Sequence, residues 1–365
     1  MAQSSDRLFL EEVCPILQQW LLEEPVRLVA NLAKDPSSII KAQEFQDFEV
    51  GFLLSSEEAE LRLKVQYPYL ADVISSGSQA LLDEVMTGLP IRGVQLSLET
   101  NELILGLSAV EVAQDEVLRQ KCAKCLASVR IWLFIGPLIE RLRWLRTAVA
   151  LAEAVAKQAA PGNGAAAASA AVGTPPPMLK LQVRRLETCW IVVKPDRVLV
   201  IMSVNLEDEV DVALGRAFCQ EFAETHRKNT DVLAPPCAFN EPKDPPIDLR
   251  GELNLETPNV GFLTLTLSDQ MVRGATDDRL VTLARPVMTW RNFFHFHLKH
   301  TKSYLHTRLR RRIGEWQQSV AGSRRQKKEG AERIRRLASG KEFAPPPRGS
   351  STGSSALPPP PQRAA

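Results

Sequence analysis

Two cysteines lie three residues apart in the first half of the chain, a spacing that zinc-binding and redox sites use. Cys122 and Cys125 form this C-x-x-C motif, but no second Cys or His pair follows at the spacing of a zinc site. The motif falls in a segment with helical periodicity, where residues i and i+3 share a face. We therefore interpret both cysteines as small buried apolar side chains rather than as metal ligands.

Histidine is the second residue type that could do chemistry, and four of the five histidines lie in one segment of the C-terminal half. These four are His295, His297, His300 and His306. No Asp or Glu occurs between Arg279 and Gly314, so no carboxylate in the sequence completes a metal site, and the nearby Lys and Arg side chains repel a cation. We expect no metal and no cofactor, and assign these histidines to packing in the core or against a partner.

The short motifs of nucleotide binding and catalysis are absent. The sequence contains no G-x-G-x-x-G, no G-x-x-x-x-G-K-[ST] and no H-E-x-x-H. No nucleophile stands beside a recognisable base, which an enzyme of these classes requires. We therefore expect a protein without catalytic activity.

Composition indicates a globular protein with free thiols. The chain has 365 residues, 44% of them hydrophobic and 24% charged, which allows two domains. Six cysteines are too sparse for a disulfide scaffold, and the N-terminus has no secretory apolar region. The longest apolar run, Ile131–Ile139, is far short of the roughly 20 residues of a membrane-spanning helix. We expect a reducing, intracellular location and no membrane span.

Charge is distributed unevenly along the chain. The net charge is +2, but the segment Lys299–Lys341 holds 14 Lys or Arg residues against three acids, a balance of +11. The remainder of the chain therefore carries −9. Such segregation is typical of a surface that binds an acidic partner. A solvated basic tail without a specific partner is the alternative.

Periodicity predicts mixed helices and strands in the first half of the chain. An amphipathic helix is expected over 6–24 and should end at Pro25. The elements expected after it are strands over 45–55 and 60–67, a helix over 75–87, strands over 94–99 and 102–107 joined at Thr100-Asn101, and a long helix from about 114 to 147.

The same order of elements recurs after an Ala- and Pro-rich stretch. The elements expected there are strands over 179–186, 189–193 and 197–204, a helix over 210–224, strands over 249–255 and 260–267, and a long helix from about 277. This repetition predicts an α+β fold with two related α/β sandwich domains, each an antiparallel sheet plus helices, and a long C-terminal helix. The predicted domains are 1–147 and 178–320, with a linker at 148–177, a basic segment at 321–343 and a disordered Pro-rich tail at 344–365.

One apolar stripe runs along the predicted C-terminal helix. Its residues, spaced by four, seven, four, four, three and four, are Phe294, Leu298, Leu305, Leu309, Ile313, Trp316 and Val320. A helix from 277 to 320 would be about 65 Å long, which exceeds the roughly 30 Å width of such a domain. The overhanging part of the stripe predicts a second protein chain lying along it. Pro286 is expected to kink or interrupt the helix near its start.

Basic side chains occupy the other faces of this helix. They are Lys299, Lys302, Arg308, Arg310, Arg311 and Arg312. Because they alternate with Tyr304 and His306, they suit RNA, whose bases stack on Arg and aromatic rings. An acidic protein surface suits them equally, and charge alone leaves an RNA-binding module open as the alternative function.

At these residues the sequence becomes similar to a known family. Residues 293–310, FFHFHLKHTKSYLHTRLR, closely resemble the C-terminal helix of the large structural subunit, subunit 2, of the actin-related protein 2/3 complex. The motifs DVALGRAFCQEF at 211–222, NVGFLT at 259–264 and SGKEF at 339–343 fit the same family in the same order. The resemblance covers 179–343 well and the first domain more weakly, through 8–22.

The resemblance implies two related α/β domains, no catalytic activity and a place in actin nucleation and branched network assembly. It implies pairing with subunit 4 through antiparallel helices, contact with the mother actin filament, and a location in the cytoplasm, the cytoskeleton and cell projections. The residues expected to face subunit 4 are Leu298, Leu305, Leu309, Ile313 and Trp316. Those expected to contact actin or neighbouring subunits are Arg308, Arg310, Arg311 and Arg312.

Three features depart from the family pattern. The stretch 148–177 is longer than the family requires, Pro286 lies where the family helix is usually uninterrupted, and the tail after Phe343 extends past the usual end. Poly-proline in this tail suits either a spacer or a ligand of aromatic grooves, and we favour the spacer.

Overall fold

The computed structural model describes residues 15–30, 40–44, 48–55, 60–97, 100–158, 173–228, 235–252 and 256–338. The chain divides into two compact units, residues 1–302 and 303–365. The first unit holds both sheets and all helices up to the start of the C-terminal helix. In the second unit the described part is the remainder of that helix, which ends at Ala338.

Helices and antiparallel strands alternate along the described chain, so the predicted α+β class is confirmed. The strands are β1 Ile40–Glu44, β2 Phe48–Ser55, β3 Glu60–Gln66, β4 Ile91–Ser97, β5 Glu102–Ser108, β6 Leu179–Arg184, β7 Glu187–Lys194, β8 Arg197–Val204, β9 Cys237–Asn240 and β10 Gly261–Ser268. The helices are α1 Pro15–Val29, α2 Leu70–Val73, α3 Gln79–Met86, α4 Ala109–Gln114, α5 Glu116–Ala127, α6 Val129–Gln158, α7 Glu209–Lys228, α8 Asp269–Val272 and α9 Asp277–Ala338. A π-helical turn, Ile74–Ser78, joins α2 to α3.

The two halves have the same topology. The strand order is β1-β2-β3-β5-β4 in the first sheet and β6-β7-β8-β10-β9 in the second, and every pair is antiparallel. In each half a three-stranded meander leads through a helical connection to two further strands, of which the second inserts beside the third strand of the meander. Because two sheets with one unusual order in one chain are hard to explain by coincidence, the structure supports the predicted duplication.

One edge strand of the second sheet lies earlier in the chain than predicted. The strand expected over 249–255 is not formed at 249–252, which follow or overlap a 3₁₀ turn, Ile247–Leu249, and residues 253–255 lie outside the described part of the chain. That edge strand is instead β9, Cys237–Asn240. The prolines on either side of β9 predict a connector rather than a strand. Yet Pro236 lies just before β9 at the edge of the sheet, where a missing N–H is tolerated, and its carbonyl accepts a hydrogen bond from Thr266 N at 2.8 Å.

The long helix expected over 114–147 is in fact three helices, broken at Asp115 and Ser128. Asp115 caps α5, since its Oδ1 accepts hydrogen bonds from the N–H groups of Val117 and Leu118 at 2.9 and 3.2 Å. Ser128 ends α5, and its own N–H donates to Cys125 O at 3.2 Å. Capping chemistry therefore overrides a continuous helical periodicity.

Pro25 does not end its helix, contrary to expectation, and Pro286 does not interrupt α9. α1 continues through Pro25 to Val29, and α9 continues through Pro286 to Ala338. Leu21, one turn before Pro25, and Val287, next to Pro286, are each 2% exposed. Packing of these residues against the core offsets the roughly 3 kcal/mol that an interior proline costs. The first part of the predicted opening helix, 6–14, lies outside the described residues.

The first sheet packs its apolar face on α1, α2 and the helices that follow β5. The buried face of its central strands carries Leu61, Leu63, Val65, Leu103, Leu105 and Leu107, none more than 2% exposed. These residues alternate along β3 and β5, which is the pattern of a sheet with one covered face. Leu17, Leu126 and Leu133 belong to the same core and come from α1, α5 and the start of α6.

Helix α6 belongs to both cores. Leu133 near its start packs in the first core, whereas Ile135, Leu138, Leu142 and Leu145 pack under the second sheet. The hydroxyl of Tyr67, directly after β3, also donates to Val183 O in β6 at 2.7 Å. The helix of the first half thus completes the core of the second.

The second sheet is buried on both faces. Leu181, Ile191, Val200, Leu263 and Leu265 face α6 and α9. A smaller cluster of Trp190, Leu199, Ile201, Leu249 and Phe262 covers the other face. Burial on both faces explains why β7, β8 and β10 read as almost continuous apolar runs.

The predicted linker 148–177 begins within α6, which ends at Gln158. Ala148 and Val149 are 5% and 7% exposed, and Val149 belongs to the second core, whereas 159–172 lie outside the described residues. The predicted tail 344–365 also lies outside them. The domain boundaries stay predictions.

In the part of the chain that the structure describes, no single helix is long and apolar enough to cross a membrane. Helix α5 and residues 129–155 of α6, which form a bent pair, reach the length and apolar composition of a membrane span only when they are taken together.

Candidate partner-binding helix

The N-terminus of α9 is fixed by two arginines of α6. Arg146 Nη1 lies 2.6 Å from Asp277 Oδ1, and Arg143 Nη2 lies 2.7 Å from Asp277 Oδ2 and 2.9 Å from Glu84 Oε2. Partial burial of Asp277 raises the pKa of its carboxyl, but the hydrogen bond from Arg146 and the charge of Arg143 outweigh this, so the pKa lies below its usual value. The carboxylate also stands in the first turn, where a negative charge favours the helix.

A buried seam holds the first part of α9 against the second sheet. Its residues are all at most 4% exposed, and they are Leu280, Ala284, Val287, Trp290, Phe294 and Leu298. Spacings of three and four place them on one face. The predicted stripe therefore divides: Phe294 and Leu298 are core residues of the chain itself. Leu298, which we expected to face a partner, is 2% exposed and packs in the chain's own second core.

A buried ion pair crosses from α9 to the start of β7. Arg291 Nη2 donates to Glu187 Oε1 at 2.7 Å, and its Nε donates to Oε2 at 2.8 Å. The N–H of Asn205 donates to the same Oε1 at 3.0 Å. This bidentate pair orients α9 about its axis, because the planar guanidinium fits the carboxylate in one geometry. No local sequence pattern predicts this ion pair, because its two partners lie far apart in the sequence.

Helices α7 and α9 approach each other closely at Gly215. A Cβ built there would lie 2.9 Å from Leu206 Cδ1 and 3.2 Å from Phe294 Cζ, so only glycine leaves room for the buried ring of Phe294. This gives a packing reason for the glycine in the motif at 211–222. The motif at 259–264 contributes Asn259, whose Oδ1 accepts from Leu206 N at 3.0 Å and whose N–H donates to Asn205 Oδ1 at 2.8 Å.

Lys302, one of the predicted basic residues, is held in an ion pair. Its Nζ lies 2.7 Å from Asp211 Oδ1 and 3.0 Å from Asp208 Oδ2 at the N-terminus of α7. Hydrogen bonding to Asp211 and then Asp208 raises the pKa of Lys302, and the hydrogen bond from Lys302 lowers the pKa of Asp208. Lys302 therefore serves to join α7 to α9.

The histidines of α9 pack against aromatic rings. His297 stacks on Phe218 at 6.2 Å between ring centroids and contacts Phe293 at 4.3 Å. Burial, with a smaller effect of His300, lowers the pKa of His297. Burial and then the charge of Arg291 lower the pKa of His295 to about 4, so this ring is neutral near pH 7.

No group of three His, Cys, Asp or Glu side chains that could hold a metal occurs among the described residues. Cys122 is 1% exposed in the first core. Burial, followed by the proximity of Cys125, raises the pKa of Cys122 to about 11. Burial also raises the pKa of Cys125, which is half-buried. A thiol that stays protonated at neutral pH is a poor nucleophile and a poor metal ligand.

A groove of about 470 Å³ lies beside α9 in the first unit. It is lined by Arg184, Arg185, Leu186, Glu187, Asn205, Leu206, Glu207, Asp208, Asp211, Arg291, His295 and Lys299. Glu187 is held by Arg291, and Asp208 and Asp211 are held by Lys302. The lining contains no Ser, Thr, Cys or Tyr, so it offers no hydroxyl or thiol nucleophile.

In the second unit the apolar stripe of α9 is exposed. The fractional exposures are 40% for Leu305, 58% for Leu309, 55% for Ile313, 67% for Trp316 and 38% for Val320. A continuous row of large apolar side chains that is exposed to solvent is typical of a surface that a partner covers. Four of the five residues predicted to face a partner, all except Leu298, lie in this row.

The four predicted arginines are exposed but do not share one face. Arg308 and Arg312 stand three residues after Leu305 and Leu309, so they border the stripe, contrary to our assignment of all four to the opposite faces. Arg310 and Arg311 lie away from its centre line. Arg311 Nε is 3.0 Å from Glu315 Oε1, and Arg312 Nη1 is 3.6 Å from Glu315 Oε2.

Comparison with known proteins identifies the region that contains these features. Residues 75–327 match the family described as Arp2/3 complex, 34 kD subunit p34-Arc. Over 167 residues, 46% of this chain, the sequence is 29% identical to Actin-related protein 2/3 complex subunit 2 of Schizosaccharomyces pombe, and this match covers 50% of that protein. A subunit of the same name from Dictyostelium discoideum is 28% identical over 170 residues, which are 46% of this chain and 54% of that protein. The chain thus spans about half the length of the relatives it matches.

Proposed function

This chain belongs to the p34-Arc family, the 34 kD subunit of the Arp2/3 complex, and on that premise we propose that it is a non-catalytic structural subunit of such a complex. The observation that carries the proposal is the exposed row from Leu305 to Val320 on a helix whose other end is fixed in the core. A structural subunit needs a rigid fold and a surface that becomes buried only on assembly. α9 supplies both.

The partner of this row is subunit 4, through an antiparallel helix. The row is one side chain wide and repeats at spacings of three and four, which is the seam that a second helix fills by interdigitation. Leu305, Leu309, Ile313 and Trp316 form the contact. Trp316 is the expected anchor, because a large aromatic side chain in the centre of a seam contributes most when it is buried.

The basic faces of α9 contact actin of the mother filament or a neighbouring subunit. Arg310 and Arg311 lie away from the stripe and stay accessible when a partner covers Leu305 and Leu309. Arg308 and Arg312 border the stripe, where they meet acidic residues at the rim of the partner helix. In this role the protein acts in the cytoplasm and cytoskeleton, including cell projections, in actin nucleation and branching.

The absence of catalysis in this proposal agrees with the chemistry of the described residues. Cys122, Cys189, Cys219 and Cys237 are buried, and burial raises the pKa of each thiol to about 11 or 12. In the groove beside α9, Glu187 is paired with Arg291, and Asp208 and Asp211 are paired with Lys302. These groups stabilise the positions of α7 and α9.

The proposal is tested by co-expression with subunit 4 of the same complex, followed by size-exclusion chromatography with light scattering. We expect a soluble one-to-one complex, and aggregation of the chain when it is expressed alone, because the row is then left in water. A monodisperse chain that does not bind subunit 4 would contradict the proposal. In that case the basic faces of α9 should be tested for RNA binding, whose affinity falls steeply with salt.

A further inference from the structure

The first sheet has an open edge at β4. This seven-residue strand pairs only with β5, and no other strand in the part of the chain that the structure describes pairs with its outer side. Every residue of β4 is exposed or half-buried, and residues 92–95 are all exposed. An edge strand presents a row of N–H and C=O groups that another extended chain can pair with.

The other edge strands are shorter or in contact with the chain, and β1 at the opposite edge of the first sheet has five residues. β9 at one edge of the second sheet has only four residues. β6 at the opposite edge is in contact with the first half, since the carbonyl oxygens of Gln182 and Val183 accept hydrogen bonds from the Tyr67 hydroxyl at 3.2 and 2.7 Å. β4 is therefore the longer and more open edge.

The apolar face of the sheet continues onto β4 without cover. Val94 lies opposite Leu105 and Leu96 opposite Leu103, so each pair shares the core side of the sheet. Leu105 is fully buried, whereas Val94 is 47% exposed. A strand added beside β4 would place an apolar side chain next to Val94 and extend this row.

Protection against strand pairing is confined to the start of β4. A register shift between Ile91 and Gly93 disturbs the ladder there, and Arg92 is the only charged residue of the strand. The following residues, Gly93–Ser97, are uncharged and regularly paired with β5. Natural edges that must stay free usually carry charges or prolines along their length.

We infer that the outer edge of β4 binds an extended segment of another protein by strand addition. The occupant is a strand because only an extended backbone pairs with a row of alternating N–H and C=O groups. Its side chains are apolar on the side of Val94, and it carries an acidic residue near Arg92, whose positive charge has no ion pair among the described residues. This surface is separate from the stripe of α9 and does not depend on pairing there.

The probe for the test is a blocked, fluorescently labelled peptide that copies residues 101–109, NELILGLSA. This sequence already pairs with the inner side of β4 and carries leucines at the positions that share the face of Val94 and Leu96. Its acid, Glu102, lies opposite Ser97 in that pairing, so the peptide tests the backbone and apolar contacts and not the charge of Arg92. We expect saturable binding to the full-length chain by fluorescence anisotropy and none for a scrambled peptide. Hydrogen exchange should slow at alternate amides of β4, because every second amide of the strand points outward.

Two matched variants locate the site. Val94→Lys places a charge on the apolar side and should weaken peptide binding by about tenfold or more. Gln95→Lys adds the same charge on the opposite face, beside Ile104, and should change binding by less than about twofold. Both positions are exposed, so both variants should fold.

Three results would overturn the inference. The first is no saturable binding up to about 1 mM, a weak affinity that strand addition at an open edge should exceed. The second is binding that leaves the exchange of β4 amides unchanged or responds equally to both variants. The third is dimerisation of the chain that Val94→Lys removes, which would make a second copy the occupant instead of another protein.

Discussion

Arg291 in α9 and Glu187 at the start of β7 lie 104 residues apart and form a bidentate ion pair, with both side chains at most 9% exposed. Two charges withdrawn from water cost several kcal/mol each, and their mutual attraction repays this only when the geometry is good. The pair therefore contributes to the placement of α9 more than to total stability. It fixes the rotation of the first part of α9 against the second sheet.

Removing one partner of this pair should destabilise the protein strongly. Arg291→Met leaves the buried Glu187 with the N–H of Asn205 and with Arg184, whose Nε lies 3.8 Å from Glu187 Oε2, so the free energy of unfolding should fall by about 3 kcal/mol. Urea denaturation followed by circular dichroism measures this change. Arg197→Met is the matched control, because it breaks an exposed pair with Asp196 and should cost less than about 1 kcal/mol.

The double variant Glu187→Leu with Arg291→Met tests the interpretation of the pair. Without either charge, stability should recover most of the loss, since an apolar pair often equals a buried ion pair. Equal destabilisation in the single and double variants would mean that packing of the Arg291 stem, and not the unpaired carboxylate, causes the loss.

The sequence predicted the repeat, the class of fold and the long C-terminal helix. These features depend on periodicity that persists over many residues, as in the seam from Leu280 to Leu298, so local exceptions do not obscure them. The short edge strand β9 was missed because Pro235 and Pro236 indicated a connector. Whether a proline is tolerated depends on which edge of a strand faces a neighbour, and that is set by the tertiary fold.

The exposed part of the apolar stripe begins later along α9 than expected, and its role in binding a partner stays a prediction. Phe294, Leu298 and Leu305 are equally apolar, and their spacing cannot tell where the core ends. The structure distinguishes them by burial: Leu298 is 2% exposed and Leu305 is 40% exposed. The Glu187–Arg291 pair could not be predicted, because neither residue has a local sequence signal that names its partner.

Charges placed in the exposed row should prevent pairing with subunit 4. Leu305→Asp with Leu309→Asp puts two carboxylates into the proposed seam, and affinity should fall by more than about a hundredfold. Both leucines are substantially exposed in the chain alone, so its helix content and unfolding midpoint should change little. Co-purification with tagged subunit 4, followed by light scattering, measures the outcome.

The control for this variant is Ser303→Asp with Thr307→Asp. These exposed residues have the same spacing and receive the same charge, but they lie on the far side of α9 from the row. The control should pair normally. Retained pairing in the leucine variant would refute the row as the partner surface, and loss of pairing in both would point to a general effect of charge on the helix.

Reversing the charge of Arg310 and Arg311 should separate actin contact from assembly. Arg310→Glu with Arg311→Glu should leave pairing with subunit 4 intact and weaken filament binding by about tenfold at low ionic strength. Co-sedimentation of the assembled complex with actin filaments at several salt concentrations measures this. The variant Arg310→Lys with Arg311→Lys keeps the charge and should bind nearly as the parent does. Loss of pairing with subunit 4 would mean that the two faces of α9 are assigned in reverse.

Asp277 should make the protein sensitive to acid. Because the pKa of its carboxyl is lowered in the folded state, its stabilising effect is present above the unfolded pKa of about 3.9 and is lost as the pH falls through the folded value. Asp277→Asn should therefore lower the free energy of unfolding at pH 7 by about 1 kcal/mol or less, since the side chain is 42% exposed. As the pH is lowered from about 5 to 2, the two proteins should converge.

Asp278→Asn is the matched control for the acid effect. Asp278 stands in the same first turn of α9, so its removal has the same effect on the helix dipole, but it forms no ion pair with Arg143 or Arg146. Urea unfolding at a series of pH values compares the three proteins. If Asp278→Asn reproduced the whole pH dependence of Asp277→Asn, the helix dipole would account for it, and the arginines of α6 would not be what anchors the start of α9.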